Sequence, residues 1–101
     1  MHIQEFQELM DRTYGDRDRA RGSAGCALWM TEELGEILQA LRVGDRDALA
    51  GEMADLFAWL ASLANVCGLN LENAVNEKYG RGCPRCGFLP CRCDTDGNPL
   101  T

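Results

Sequence analysis

The chain is predicted to be all-α, an antiparallel helical bundle followed by a short cysteine-rich knuckle. Three observations predict this. Apolar residues recur at three- and four-residue steps through most of the first 79 residues, Gly44 and Gly68 stand where two of those periods stop, and no stretch alternates as a strand would.

Ile3, Phe6, Met10 and Tyr14 predict a first short amphipathic helix that ends at Gly15. The residues from Gly15 to Gly22 are charged, bounded by glycines and without apolar period, so they read as a loop whose arginines are free to meet a ligand. Ser23 has the chemistry to cap a second helix to Val43, with Ala27, Met30, Leu34, Ile37, Leu38 and Leu41 as its apolar stripe and Gly44 as its stop. Asp45 or Asp47 caps a third helix to Cys67, whose stripe is Leu49, Met53, Leu56, Leu60, Leu63 and Val66, with Gly68 supplying the stop. Asn70 suits the cap of a fourth helix over 71–79. Residues 1–80 therefore form a helical domain, and residues 81–101 a cysteine-rich knuckle with a polar, poorly ordered tail.

A domain of this size, 101 residues in all, buries a modest share of its surface, and self-association or a bound metal is the expected supplement. Net charge is −6, and the segment 32–55 concentrates it: Glu32, Glu33, Glu36, Asp45, Asp47, Glu52 and Asp55 face only Arg42 and Arg46. Such a segment repels nucleic-acid polymers and invites divalent cations. The basic cluster Arg12, Arg17, Arg19 and Arg21 suits a small phosphorylated ligand. No run of 18 apolar residues exists, and Glu5, Glu8 and Asp11 occupy the place where a secretory signal needs positive charge and an apolar stretch, so the expectation is a cytoplasmic protein without membrane association.

The acids carry the chemistry. Glu33 and Glu36 leave one helix face about 60° apart, and Glu52 and Asp55 repeat that spacing. Ile37 lies about 40° from Glu33, and Leu56 and Leu63 lie about 40° and 20° from Glu52, so Glu52 sits inside an apolar stripe and Glu33 at the edge of one. Solvated i,i+3 acids are the plain alternative for either pair alone; two pairs on successive helices, both against leucine-rich stripes, favour a shared site. Four carboxylates brought together across the turn at Gly44–Arg46 repel one another unless cations bind, and hard oxygen ligands suit magnesium or manganese together with substrate phosphates. A di-iron carboxylate site is disfavoured, because it uses Glu-x-x-His pairs and the only histidine is His2.

Trp29-Met-Thr-Glu-Glu-Leu-Gly-Glu36 and Gly51-Glu-Met-Ala-Asp-Leu-Phe-Ala-Trp-Leu60 resemble the EExGE and ExxD signature of MazG-type nucleoside triphosphate pyrophosphohydrolases. The likeness continues through Ala61–Glu72 to Lys78-Tyr79. It implies an all-α, oligomeric, magnesium-dependent enzyme that cleaves a nucleoside triphosphate to the monophosphate and pyrophosphate. It implies Glu33, Glu36, Glu52 and Asp55 as magnesium ligands, Glu32 as an additional acid, and Lys78 as a phosphate contact, although no matching asparagine follows it. Glu32 or Glu36 would orient or deprotonate the attacking water. Arg17, Arg19 and Arg21 are candidate phosphate clamps against the alternative of an exposed charged loop. Trp29 and Trp59, on the carboxylate sides of their helices, are candidates for base stacking against the alternative of core packing, ahead of Phe57 and Phe6.

Cys83, Cys86, Cys91 and Cys93 form CxxC then CxC, with Pro84, Gly87 and Pro90 favouring tight turns, which suits one structural zinc; disulfides or free thiols are the alternatives. Similar tails accompany some MazG-like proteins. Cys26 and Cys67 read as small buried residues. The leading expectation is a nucleotide-pool housecleaning hydrolase acting as a homodimer or homotetramer. The alternative is a non-catalytic, zinc-stabilised helical module that binds a protein partner.

Overall fold

The computed structural model describes residues 1–98 and is helical, with no strand among them. The end of the polar tail, residues 99–101, lies outside the described residues. The helices are α1 (Ile3–Val43), α2 (Arg46–Cys67) and α3 (Leu71–Tyr79). The chain divides into two compact units, Met1–Leu71 and a second that begins at Glu72. No single helix is long and apolar enough to cross a membrane.

The first unit corrects the expected loop. Residues 15–22 are helical, and Gly15 is buried within α1 rather than ending a helix. The reason is a close approach. Arg19 pairs with Asp11 at 2.8 Å directly over Gly15, where a Cβ would lie 2.5 Å from the Asp11 carboxylate. The charged stretch lacks apolar period but keeps its helix through this pair and through Arg21–Asp18 at 2.9 Å. Arg19 and Arg21 are thus engaged within the chain, contrary to the reading of free loop arginines; Arg17 makes no hydrogen bond or ion pair among the described residues.

The real interruption is Gly22, at φ 82° and ψ 170°, which turns α1 into two arms. Both arms pack on α2. The N-terminal arm is held through buried Gln7, whose amide donates to Asn65 Oδ1 (3.0 Å) and the Leu69 carbonyl (2.7 Å) and accepts from the Leu71 N–H (2.9 Å). Asn65 returns a bond to the Gln7 carbonyl at 3.0 Å. Phe6 and Phe57 pack with ring centroids 5.3 Å apart. The C-terminal arm runs antiparallel to α2, with Trp29 stacked on Trp59 at 5.7 Å.

The turn between α1 and α2 forms as the sequence predicts. Gly44 donates its N–H to the Ala40 and Leu41 carbonyls, and Asp45, rather than Asp47, accepts from the Ala48 N–H at 3.0 Å as the cap of α2. Gly68 closes α2 in the same way. The apolar stripes are only partly inside. Cys26, Met30, Glu33, Ile37 and Ala40 form the inward row of the C-terminal arm, whereas Leu34, Leu38 and Leu41 are 50–57 % exposed in the single chain. Met53 on α2 is likewise exposed, and Cys67 is exposed where burial was expected.

The second unit consists of α3 and a run of tight turns. Cys83 donates its N–H to the Phe88 carbonyl (3.1 Å), and Gly87 donates to the Cys83 carbonyl (2.7 Å). Residues 94–98 close a turn on Asp94, whose carboxylate accepts from the Asp96 and Asn98 N–H groups. Arg85 donates to the Gly97 carbonyl across that turn.

Gly22 occupies a backbone region open essentially to glycine alone, and a Cβ there would meet nothing within 4 Å. Gly22→Ala therefore isolates conformational strain: thermal or urea unfolding should show a loss of about 1–3 kcal/mol. An unchanged midpoint would mean that the turn between the arms does not need this conformation.

Candidate functional site

Glu33 projects from the inward row of the C-terminal arm, and Glu52 and Asp55 project from facing turns of α2. One carboxylate oxygen from each lies within 4.8 Å of the others. Glu33 and Glu52 are half-buried and Asp55 is exposed, so the cluster opens outward on one side. Desolvation pushes the Glu33 carboxyl above its ordinary range; a hydrogen bond shared with Glu52 and repulsion from Asp55 and Glu52 push the same way, with hydrogen bonding to Trp59 opposing. Three acids held in mutual repulsion are what a divalent cation relieves, and oxygen-only ligands of this kind fit a hard ion.

The cluster forms the edge of a cavity of about 330 Å³ between the two arms of α1 and α2. Glu33 and Asp55 line it together with Arg17 and Arg21 from the N-terminal arm. Met10, Tyr14, Ala58, Trp59 and Ser62 form its remaining wall with Asp18. One concavity thus offers carboxylates for a cation, guanidinium groups for phosphates and an apolar, partly aromatic surface for a planar group.

Not every residue singled out from the sequence enters this arrangement. Glu36 and Glu32 are exposed and lie outside the group of mutually close oxygens. Trp59 lines the cavity while stacking on Trp29 and lying 4.8 Å beneath the Arg21 guanidinium, so the two indoles pack with each other. Lys78 lies on α3 in the second unit, its ammonium 5.7 Å from the Tyr79 ring. The residue that sequence reasoning missed is Asp18, which is 1 % exposed. A signal for it existed, because Met10, Tyr14 and Asp18 follow one another at i,i+4 on a single helix face once Gly15 is read as helical.

In the second unit the sulfurs of Cys83, Cys86, Cys91 and Cys93 all lie within 4.8 Å of one another. Cys83 and Cys93 are 3.7 Å apart, and Cys86 and Cys91 are 3.9 Å apart. A disulfide needs about 2.05 Å. A tetrahedron with Zn–S bonds of about 2.3 Å has edges of about 3.8 Å, which these two pairs match. Backbone N–H groups of Cys86 and Arg85 bring the Cys83 thiol down to about 6, and the Arg92 N–H, which points at the Cys86 sulfur at 3.3 Å, lowers Cys86. Burial, with the neighbouring thiols adding to it, pushes Cys93 up to about 12. Thiolates stabilised in this uneven way fit a tetrahedral thiophilic cation.

The structure is that of a helical protein with acids from two packed elements at the edge of an arginine-lined cavity. Residues 21–87 match the model of the MazG nucleotide pyrophosphohydrolase domain, more than half of the chain, and the chain belongs to that family. No curated protein matches it.

The raised Glu33 carboxyl has a consequence for stability. A native state that holds a proton more tightly than the unfolded chain loses stability as pH rises through the window just above the ordinary carboxylate range. Thermal unfolding in EDTA should show this slope between mildly acid and neutral pH. Glu33→Gln should flatten the slope and raise the neutral-pH midpoint, and magnesium should raise the midpoint of the wild type but not of the variant. A variant less stable than wild type at neutral pH without metal would remove the repulsion argument.

Proposed function

We propose that this protein is a nucleoside triphosphate pyrophosphohydrolase that converts a ribo- or deoxyribonucleoside triphosphate to the monophosphate and pyrophosphate with magnesium or manganese. The observation that carries the proposal is the convergence of Glu33, Glu52 and Asp55 at the edge of a cavity that also holds Arg17 and Arg21. Family membership supports the same reaction class.

Glu33, Glu52 and Asp55 would hold the cation, with Glu36, one turn along α1 and exposed, as the outer ligand. A divalent ion bound there supplies charge neutralisation for the polyphosphate and acidifies a nearby water. Arg17 is unengaged and lines the cavity, so it is assigned to a phosphate; Arg21, tied to Asp18, orients the wall beside it. Lys78 is assigned a second phosphate contact on the strength of the resemblance. Glu32 or Glu36 takes the proton of the attacking water as the bond to pyrophosphate breaks. Tyr14, Trp59 and, behind it, Trp29 form the aromatic side of the site.

Two further parts of the reading concern assembly. The exposed row Leu34, Leu38 and Leu41, with Met53, supports a homodimer or homotetramer that covers it. The four-cysteine cluster supports a structural zinc, which is compatible with a reducing, cytoplasmic setting where thiols stay free.

Pyrophosphate release measured across a panel of nucleoside triphosphates should depend on magnesium, be abolished by EDTA, and fall about a hundredfold or more in Glu52→Gln, since a lost cation ligand removes several kcal/mol of charge stabilisation. Absence of release from every triphosphate by a folded protein would instead favour a non-catalytic, zinc-stabilised binding module.

Elemental analysis of the purified protein should find about one zinc per chain. Cys86→Ser should lose the zinc and make the chain more readily cleaved by trypsin after Arg85 and Arg92, which are exposed but sit in the turns that the cysteines hold. A chain that retains full zinc after this substitution would refute the four-sulfur site.

A further inference from the structure

Asp18 is the most conspicuous polar group that the proposed reaction leaves without a task. It is 1 % exposed on the N-terminal arm of α1. Its Oδ1 accepts from the Arg21 guanidinium at 2.9 Å, whereas its Oδ2 is buried and accepts no hydrogen bond from the described residues. A buried acceptor left unsatisfied is costly, so a fold that keeps one is destabilised by it unless a ligand supplies the donor. Arg21 is itself fixed, lying 4.8 Å over the Trp59 ring, and its bond to Oδ1 leaves Oδ2 as the unpartnered oxygen.

Asp18 lines the same cavity as Glu33 and Asp55, among Met10, Tyr14, Ala58 and Trp59. These walls suit a flat heterocycle, and the volume of about 330 Å³ falls within the range of small-molecule sites, roughly 300–1,000 Å³. If the carboxylate cluster takes the polyphosphate end of a nucleotide, the apolar wall with Asp18 is left for its base.

We propose that Asp18 reads the nucleobase: its Oδ2 accepts a hydrogen bond from an exocyclic amino group, so the site selects amino-bearing bases over their keto counterparts. A carboxylate oxygen is an acceptor, and a keto oxygen in the same place sets two acceptors against each other. Cytosine and uracil differ in this way at one ring position, as do adenine and hypoxanthine. Arg21 is a positioning residue for this contact. The inference rests on the nucleotide reading of the cavity given above, and it adds the class of base.

The test is equilibrium binding of nucleoside monophosphates to the full chain with magnesium, followed by tryptophan fluorescence or calorimetry, which needs no turnover. The wild type should bind dCMP over dUMP, or AMP over IMP, by roughly tenfold to a hundredfold. Asp18→Asn, which can place an amide N–H₂ where Oδ2 stood, should erase or invert that ratio while its thermal midpoint reports that it is folded. Equal binding within both pairs, or no binding of any of the four, overturns the inference from the wild type alone. So does an unchanged ratio in a folded Asp18→Asn variant. Pyrophosphate release assayed in parallel separates the two claims: amino preference in binding without turnover leaves the base reader and removes the hydrolase, and turnover without amino preference does the reverse.

Discussion

The single backbone break at Gly22 is the constraint on which the site depends. An uninterrupted α1 of 41 residues would extend about 62 Å, against about 33 Å for the 22 residues of α2, so its two halves could not share one partner. Folding the helix at Gly22 brings both arms onto α2, and the Gln7–Asn65 pair fastens the returning arm at its far end. The cavity is the space this fold-back leaves, walled by the N-terminal arm on one side and by Glu33, Asp55 and Trp59 on the other. Glycine is required there because a left-handed, extended ψ is strained for any residue with a Cβ.

Much of this was legible in the sequence where a local rule decides the outcome. Gly44 and Gly68 end helices, Asp45 caps α2, and α3 spans 71–79 as its period indicates, because each depends on neighbours within a few residues. Glu52 on an apolar stripe, with Glu33 close to another, was legible for the same reason, and Glu33, Glu52 and Asp55 do converge. What failed was the weighing of Gly15 and Gly22. Both are glycines in a charged stretch, yet Gly15 is there to let the Asp11–Arg19 pair pass over the helix and only Gly22 turns the chain. That difference lies in side chains four residues to either side, which a search for helix stops does not weigh. The misplaced loop hid Asp18. The inward face of the C-terminal arm was also misjudged: Leu34, Leu38 and Leu41 carry more apolar surface than Cys26 and Ala40, but the small residues allow the close approach to α2 and so take the inside.

The acids in and beside the cavity stand in two electrostatic situations, and the contrast suits them to different work. Glu33, Glu52 and Asp55 face one another with no cation from the chain among them, an arrangement that costs stability and is relieved by a metal. Asp18 is deeper but paired with Arg21, so its charge is balanced and only its hydrogen-bonding capacity is unspent. The first group is suited to an ion and the second to a neutral N–H donor. Arg17, which lines the cavity and has no ion-pair partner among the described residues, adds positive charge next to these carboxylates.

The chain also separates two metal chemistries by ligand type. Oxygen ligands that are partly open to solvent favour a hard ion that keeps waters and exchanges with substrate. Four sulfurs within 4.8 Å of one another, with backbone N–H groups favouring Cys83 and Cys86 as thiolates, suit a thiophilic ion bound without an open position. Because softness rather than charge discriminates between them, zinc has little reason to leave the thiolates for the carboxylates, and magnesium has none to move the other way. The two clusters belong to separate compact units, so an ion at the cysteines could be permanent while one beside the cavity exchanged. An ion held by the four cysteines would thus sit apart in sequence from the acids beside the cavity.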